Sequence, residues 1–243
     1  MSSPPVYDLV SVCKKQSDSF SLEIGKLVIT TGETLSLVGP TGAGKSTLLR
    51  LLTGLELPSS GAITLLGRSY NGNEVDLESI RRIAMVHQRP LMLSESVRYN
   101  IEYGLQVRGV KSAQHRSDPM LERLGLTRLV KQDARTLSGG QVQLVAIGRA
   151  LLVEPEVLLL DEPTAHLDPA NVALVEDVIQ EQKQRLGMTV VWATHNLFQA
   201  RRTASRVALI LSGRLIEVAD RKTFFDCPSD ERTRDFVHGK MVY

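Results

Sequence analysis

The chain has 243 residues, 42% of them hydrophobic and 23% charged, which is enough for one large α/β domain or a core with a small subdomain. Its 29 basic and 27 acidic residues leave a net charge of +2, so nothing argues for a nucleic-acid surface. Cys13 and Cys227 match no metal or redox spacing, no apolar run is long enough to span a membrane, and the start MSSPPVYDL lacks the basic and apolar regions of a signal peptide.

Residues 6–86 read as strands around a glycine-rich loop. Thr34–Val38 predicts a short buried strand, and the Leu-rich stretch Thr47–Thr53 predicts a helix. Between them Gly39, Pro40, Thr41, Gly42, Ala43, Gly44, Lys45 and Ser46 match G-x-x-x-x-G-K-[ST] in full, in the strand–loop–helix context the motif requires. Gly42 and Gly44 have no Cβ, so backbone N–H groups can crowd onto phosphates, and the helix start adds partial positive charge. Lys45 is expected to reach the β- and γ-phosphates, and the Ser46 hydroxyl to ligate Mg²⁺. Further on, Pro58–Gly61 is a turn and Ile63–Leu65 a short strand.

From about 89 to 149 strand signals vanish, and helix-like stretches such as Ser96–Tyr103 and Pro119–Leu124 take their place. Residues 137–141 read LSGGQ, and the apolar spacing from Gln141 to Leu152 predicts a helix directly after it. Ser138 offers a hydroxyl, and Gly139 and Gly140 let backbone amides approach an anion closely.

Residues 150–219 alternate strand and helix. Val157–Leu160 is an apolar run between Pro155 and Pro163, which fits a fully buried parallel strand. It ends in Asp161 and Glu162, at the usual ligand edge of an α/β sheet. Asp161 is the expected Mg²⁺ partner, and Glu162 is placed to polarise an attacking water as general base. Asn171–Arg185, Thr189–Ala193, Asn196–Ala204 and Val207–Leu211 continue the alternation, and 220–243 reads as a short tail with no room for an appended barrel.

With these motifs in this order, the chain resembles the ATP-binding-cassette (ABC) ATPases over roughly residues 9–237. Gln88 in MVHQRP matches the Q-loop glutamine, LSGGQ the signature, Ala165–Asp168 the D-loop, and His195 in WATHN the switch histidine. The resemblance implies a P-loop core of RecA-like type with a mixed sheet, N-terminal antiparallel strands and an inserted helical subdomain. It places the core at 6–88 and 150–219, the signature subdomain at 89–149, and a C-terminal tail at 220–243. It implies ATP and Mg²⁺ as ligands. Two copies would pack head to tail, with Ser138, Gly139, Gly140 and Gln141 of one covering the nucleotide on the phosphate loop of the other, and Asp168 at that junction. His195 would contact the γ-phosphate and steady Glu162. Gln88 would meet Mg²⁺ and the attacking water.

Several positions depart from the family pattern. Gln16 stands where many relatives place an aromatic ring for adenine, with Phe20 and Tyr7 as alternative rings. Leu144 stands where arginine commonly follows the signature, and Gly148 where alanine is common, at ~1 kcal/mol if mid-helix. His166 occupies a D-loop position that is usually small or amide-bearing.

An ATPase without a span or substrate pocket must pass its conformational change to a partner. The resemblance implies a membrane permease at the cytoplasmic face, docking near Arg89–Tyr103 through Leu91, Met92, Leu93 and Tyr103, with Arg89 and Arg98 as polar anchors. The same stretch is similar to importer ATPases of oxyanion systems, tungstate and molybdate above all, which work with a solute-binding protein. An exporter and a soluble ATPase of cofactor assembly are the alternatives. A DNA-repair cassette does not fit, because no coiled coil separates Lys45 from Leu137.

Overall fold

The computed structural model describes residues 5–17, 20–70, 75–111 and 113–240. In chain order its elements are β1 (Pro5–Ser17), β2 (Phe20–Thr30), β3 (Thr34–Val38), α1 (Lys45–Leu52), β4 (Ser60–Leu65), β5 (Arg68–Tyr70), α2 (Leu77–Arg81), β6 (Ile83–Val86), α3 (Val97–Val107), α4 (Gln114–Arg123), α5 (Gly139–Leu152), β7 (Val157–Asp161), α6 (Pro169–Leu186), β8 (Thr189–Ala193), α7 (Leu197–Thr203), β9 (Arg206–Leu211), β10 (Arg214–Asp220), α8 (Arg221–Asp226) and α9 (Glu231–Val237). Two compact units result, one built from residues up to Ile83 and from Thr189 onward, the other from Ala84 to Met188.

In the first unit the strands run in the order β5-β4-β1-β2-β10-β9-β3-β8. β1 pairs antiparallel with β2 and with β4, and buried Leu22 and Ile24, then Leu27 and Ile29, alternate on β2 on either side of a break at Gly25–Lys26, opposite the break at Ser11 (φ +49) that separates Leu9 from Val12 on β1. That period of two is the signature of a sheet with one wet face. β3 is different. All five of its residues are buried, and it lies parallel between β8 and β9. Its uninterrupted apolar run follows from that position. The sheet is therefore mixed, as the fold reading expects.

The C-terminal stretch is more ordered than the sequence reading allows. β10 follows a two-residue turn after β9, and α8 and α9 then fold back onto the sheet. Phe224, Phe225 and Phe236 bury beside Ala200, Val207 and Leu209, and the rings of Phe224 and Phe225 meet edge to face at 5.3 Å. Asp220 and Asp230 cap the two helices. The buried Glu217 carboxylate ties β10 to α9, accepting from the Ser229 amide at 2.9 Å, the Ser229 hydroxyl at 2.7 Å and the Asp230 amide at 3.2 Å.

In the second unit β7 lies beside β6 and is buried along its length. α5 is buried on almost every face from Gln143 to Leu152, as a helix that is apolar all round must be. Gly148 is not a weak spot. A Cβ there would come within 2.9 Å of Leu124 Cδ1 and 3.3 Å of Ile101 Cδ1, so the missing side chain lets α3 and the end of α4 approach α5. Leu144 is also buried, which is where a leucine belongs and an unpaired arginine does not.

Burial pushes the Glu217 pKa up, but the hydrogen bonds from Ser229 and Asp230 oppose it, and the group lies below its ordinary 4.5. Its stabilisation is therefore complete above that value and lost as pH falls through the lower, folded one. Glu217→Ala should lower stability by about 1.5–3 kcal/mol at pH 7, the range for hydrogen bonds to a charged group. The loss should shrink at pH 3, and urea midpoints at the two pH values measure both.

Candidate active site

The phosphate loop belongs to the first unit. Gly39 has φ +148, and a Cβ on it would run into the Ile210 carbonyl. Gly44 has φ +109 and begins α1 with no side-chain cap; a Cβ there would lie 3.0 Å from Leu22 Cδ1 and 3.2 Å from Phe20 Cζ. The loop is thus pressed on β2 and on the turn between β9 and β10, where the Gly213 amide donates to the Ala43 carbonyl at 3.0 Å. Lys45 closes the loop from inside, its Nζ donating to Gly39 O at 2.7 Å and Pro40 O at 3.0 Å. Thr41 and Gly42 are exposed at the rim, Ser46 is half-buried and Thr47 buried. A helix start of this kind favours an anion, through its partial positive charge.

His195 sits at the same edge. β3 and β8 are parallel neighbours with Leu37 opposite Ala193, so the loop after β3 and the loop after β8 leave the sheet side by side. The Thr194 amide donates to Leu37 O at 3.0 Å, and Asn196 caps α7 by accepting from the Gln199 amide at 3.1 Å. His195 is exposed between these two fixed points.

The second unit holds the remaining candidates. Asp161 ends β7 and is 8% exposed. Glu162 follows with φ +46, a left-handed backbone that costs a non-glycine residue roughly 1–2 kcal/mol. Ser138 caps α5 in a full capping box: its hydroxyl accepts from the Gln141 amide at 3.4 Å, and the Gln141 side chain accepts from the Ser138 amide at 3.0 Å. The Ser138 hydroxyl still has its proton to give to an anion. Gly139 is exposed, and Gly140 lies against Leu167 of the D-loop, 3.4 Å from where its Cβ would be. Asp168 caps α6, accepting from the Ala170 and Asn171 amides at 3.0 Å each and from Asn171 Nδ2 at 2.6 Å, and the Asn171 bonds hold its pKa below the ordinary range. Gln88 is exposed just after β6. Signature and D-loop therefore meet within this unit.

Ser46 in the first unit, and Gln88 and Asp161 in the second, each carry an oxygen of the donor type Mg²⁺ prefers. Such a cation would neutralise charge on the phosphates. One alternative for the adenine ring falls away. Tyr7 is fully buried on β1 and donates to Leu52 O at 2.7 Å, so it has no face to offer. Phe20 is half-buried against the loop backbone at Gly44, and Gln16 is exposed at the end of β1.

The profile of the family described as ABC transporter matches residues 22–165, more than half the chain. The chain belongs to the ABC transporter family. It is accordingly an ATPase. It is 40% identical to a Natronomonas pharaonis protein named phosphate import ATP-binding protein PstB 2, over 91% of this chain and 82% of that one. It is 40% identical to a probable anion import ATP-binding protein of Haloferax volcanii, over 93% and 84%. A Bacillus subtilis protein named methionine import ATP-binding protein MetN is 36% identical over 92% of this chain and 67% of that one. Among solved structures, cbiO1 from Clostridium perfringens, part of the ABC transporter complex cbiONQ, superposes with a TM-score of 0.77 at 30% identity, covering 91% of this chain and 90% of that one. The ABC fold is thus shared over nearly the full length.

In this ABC ATPase the segment Arg89–Tyr103, expected from the resemblance to meet a permease, is exposed in part. Leu91 is 85% exposed, and Arg89, Tyr99 and Tyr103 also face solvent, while Met92 and Leu93 are half-buried. Arg98 is not the free anchor expected of it. Its guanidinium is committed within the unit, to Asp118 Oδ1 at 2.6 Å, Ser117 Oγ at 3.0 Å and Glu102 Oε1 at 3.4 Å. Two features escaped the sequence reading: the Ser212–Gly213 turn that backs the phosphate loop, signalled only by a small dipeptide between apolar runs, and a tether from Arg149 to Leu91 O at 3.0 Å, which has no sequence signature. Phe20→Ala should weaken binding of a fluorescent ATP analogue several-fold, whereas Tyr7→Phe should leave affinity unchanged and cost about 1 kcal/mol of stability.

Proposed function

We propose that this ABC ATPase powers uptake of an inorganic oxyanion through a separate membrane permease. The observation that carries the reading is the pair of 40% identical relatives, each covered over more than 80% of its length and named for phosphate or anion import. Those names give no support to tungstate or molybdate, so phosphate is the first cargo to test. Among the described residues no helix is long and apolar enough to cross a membrane, which fits a permease on another chain. The ATPase then sits at the cytoplasmic face, and the exposed Leu91, Tyr99 and Tyr103 form the contact with the permease.

Two copies work head to tail with Mg²⁺–ATP. The loop Gly39–Thr47 binds the phosphates of one nucleotide, and Ser138–Gln141 of the second copy covers it, with Asp168 setting the neighbouring D-loop. Ser46, Asp161 and Gln88 are the metal-side oxygens. Glu162 takes the proton of the attacking water, and His195 holds the γ-phosphate side of that geometry. Residues 6–88 and 150–219 serve as nucleotide core and 89–149 as the signature subdomain.

Glu162→Gln should keep ATP binding, lose at least ~100-fold in hydrolysis, and accumulate as a closed pair of copies on size exclusion. Turnover at the wild-type rate would remove Glu162 from the role of base. Ser138→Arg should block pairing while the single chain still binds nucleotide; loss of binding by the monomer would contradict the assignment across copies. Cargo is tested by co-purifying the chain with the membrane protein encoded beside it. ATPase stimulation is then measured with a solute-binding protein loaded with phosphate, tungstate or molybdate. Stimulation by one of these names the solute, and absence of any complex removes the importer.

A further inference from the structure

Arg149 lies near the far end of α5 from the signature, roughly 16 Å along the axis from Ser138 at 1.5 Å per residue. Its Nη2 donates to the carbonyl of Leu91 at 3.0 Å. Partial burial pulls its pKa down, and the nearby Tyr103 acts in the opposite sense. A cation so placed destabilises the fold unless its donors are used, and one of them is used on the backbone of an exposed loop.

That loop is fixed at its other end by a different residue. Asn100, fully buried on α3, accepts from the Leu93 amide at 2.8 Å and donates to the carbonyls of Leu93, Glu95 and Ser96 at 3.1–3.3 Å. The backbone from Leu91 to Ser96 is thus clamped to α3 by Asn100 and to α5 by Arg149, while the Leu91 side chain is 85% exposed. α3 and α5 pack closely at Gly148, where an added Cβ would lie 3.3 Å from Ile101 Cδ1 of α3.

We propose that Arg149 is a positioning residue that joins the protruding Leu91 loop to the signature helix, so that a load on Leu91 moves Ser138–Gln141 and pairing at the signature moves Leu91. The direction from Leu91 rests on the permease reading given above; the reverse direction does not. Coupling between two sites is reciprocal, which makes it testable without a permease.

The variants are Arg149→Met, which keeps the length and apolar stem but has no donor, and Arg149→Lys, which restores one. Hydrogen exchange over residues 89–94 is followed in the full chain with and without a non-hydrolysable ATP analogue. In the wild type the analogue should slow exchange of this segment at least threefold. Arg149→Met should lose that response while binding the analogue normally and keeping basal hydrolysis within twofold, and Arg149→Lys should recover most of it. An unresponsive wild type, a responsive Arg149→Met, or an Arg149→Lys no better than Met would each overturn the proposal. With a permease, Arg149→Met should co-purify normally yet lose at least tenfold of the stimulated ATPase. A wild type that is never stimulated would count against the importer reading alone, since the exchange result stands apart from it.

Discussion

The first unit depends on one strand that has no contact with water. β3 is buried along its length between β8 and β9, and its carboxyl end is where the chain must turn without a side chain in the way. Gly39 makes that turn against the Ile210 carbonyl of β9, and Lys45 then bonds back to the carbonyls of Gly39 and Pro40. Contacts within the protein thus define the loop's shape.

The same strand explains the place of His195. Parallel pairing sends consecutive crossovers out at one edge, so a residue after β8 is delivered beside a loop after β3 without local sequence specifying it. In the second unit the helix caps do comparable work. Ser138 and Asp168 each begin a helix, and their caps fix the backbone of the signature and of the D-loop.

Much of this was legible in the residues themselves. The run Thr34–Val38 and the motif Gly39–Ser46 fix strand, loop and helix, because a phosphate loop tolerates little variation in type or spacing. The buried strand at Val157–Leu160 follows from a short apolar run between prolines, and the helix read from Gln141 begins two residues earlier, at Gly139 inside the signature, because Ser138 caps it. What stayed hidden was non-local. The roles of Tyr7 and Phe20 are set by which face of a hairpin meets α1 or the loop, and nothing in either residue's neighbours encodes that. Arg98 looks like any exposed helix cation until Asp118 and Ser117 are seen across from it. The final helices were missed because Phe224, Phe225 and Phe236 form a surface only when β10 has brought them together, although Asp220 and Asp230 carried the capping signal.

Glu162 stands in a backbone conformation that glycine would occupy without strain. Selection for stability alone would drive this position toward glycine or asparagine, so a thermostabilising screen that ignores ATP turnover should repeatedly recover such replacements here. Ser11, Leu66, Glu154 and Ser212 share that left-handed backbone and serve as internal references: a position whose replacement stabilises the fold but abolishes turnover is the one where strain and function coincide.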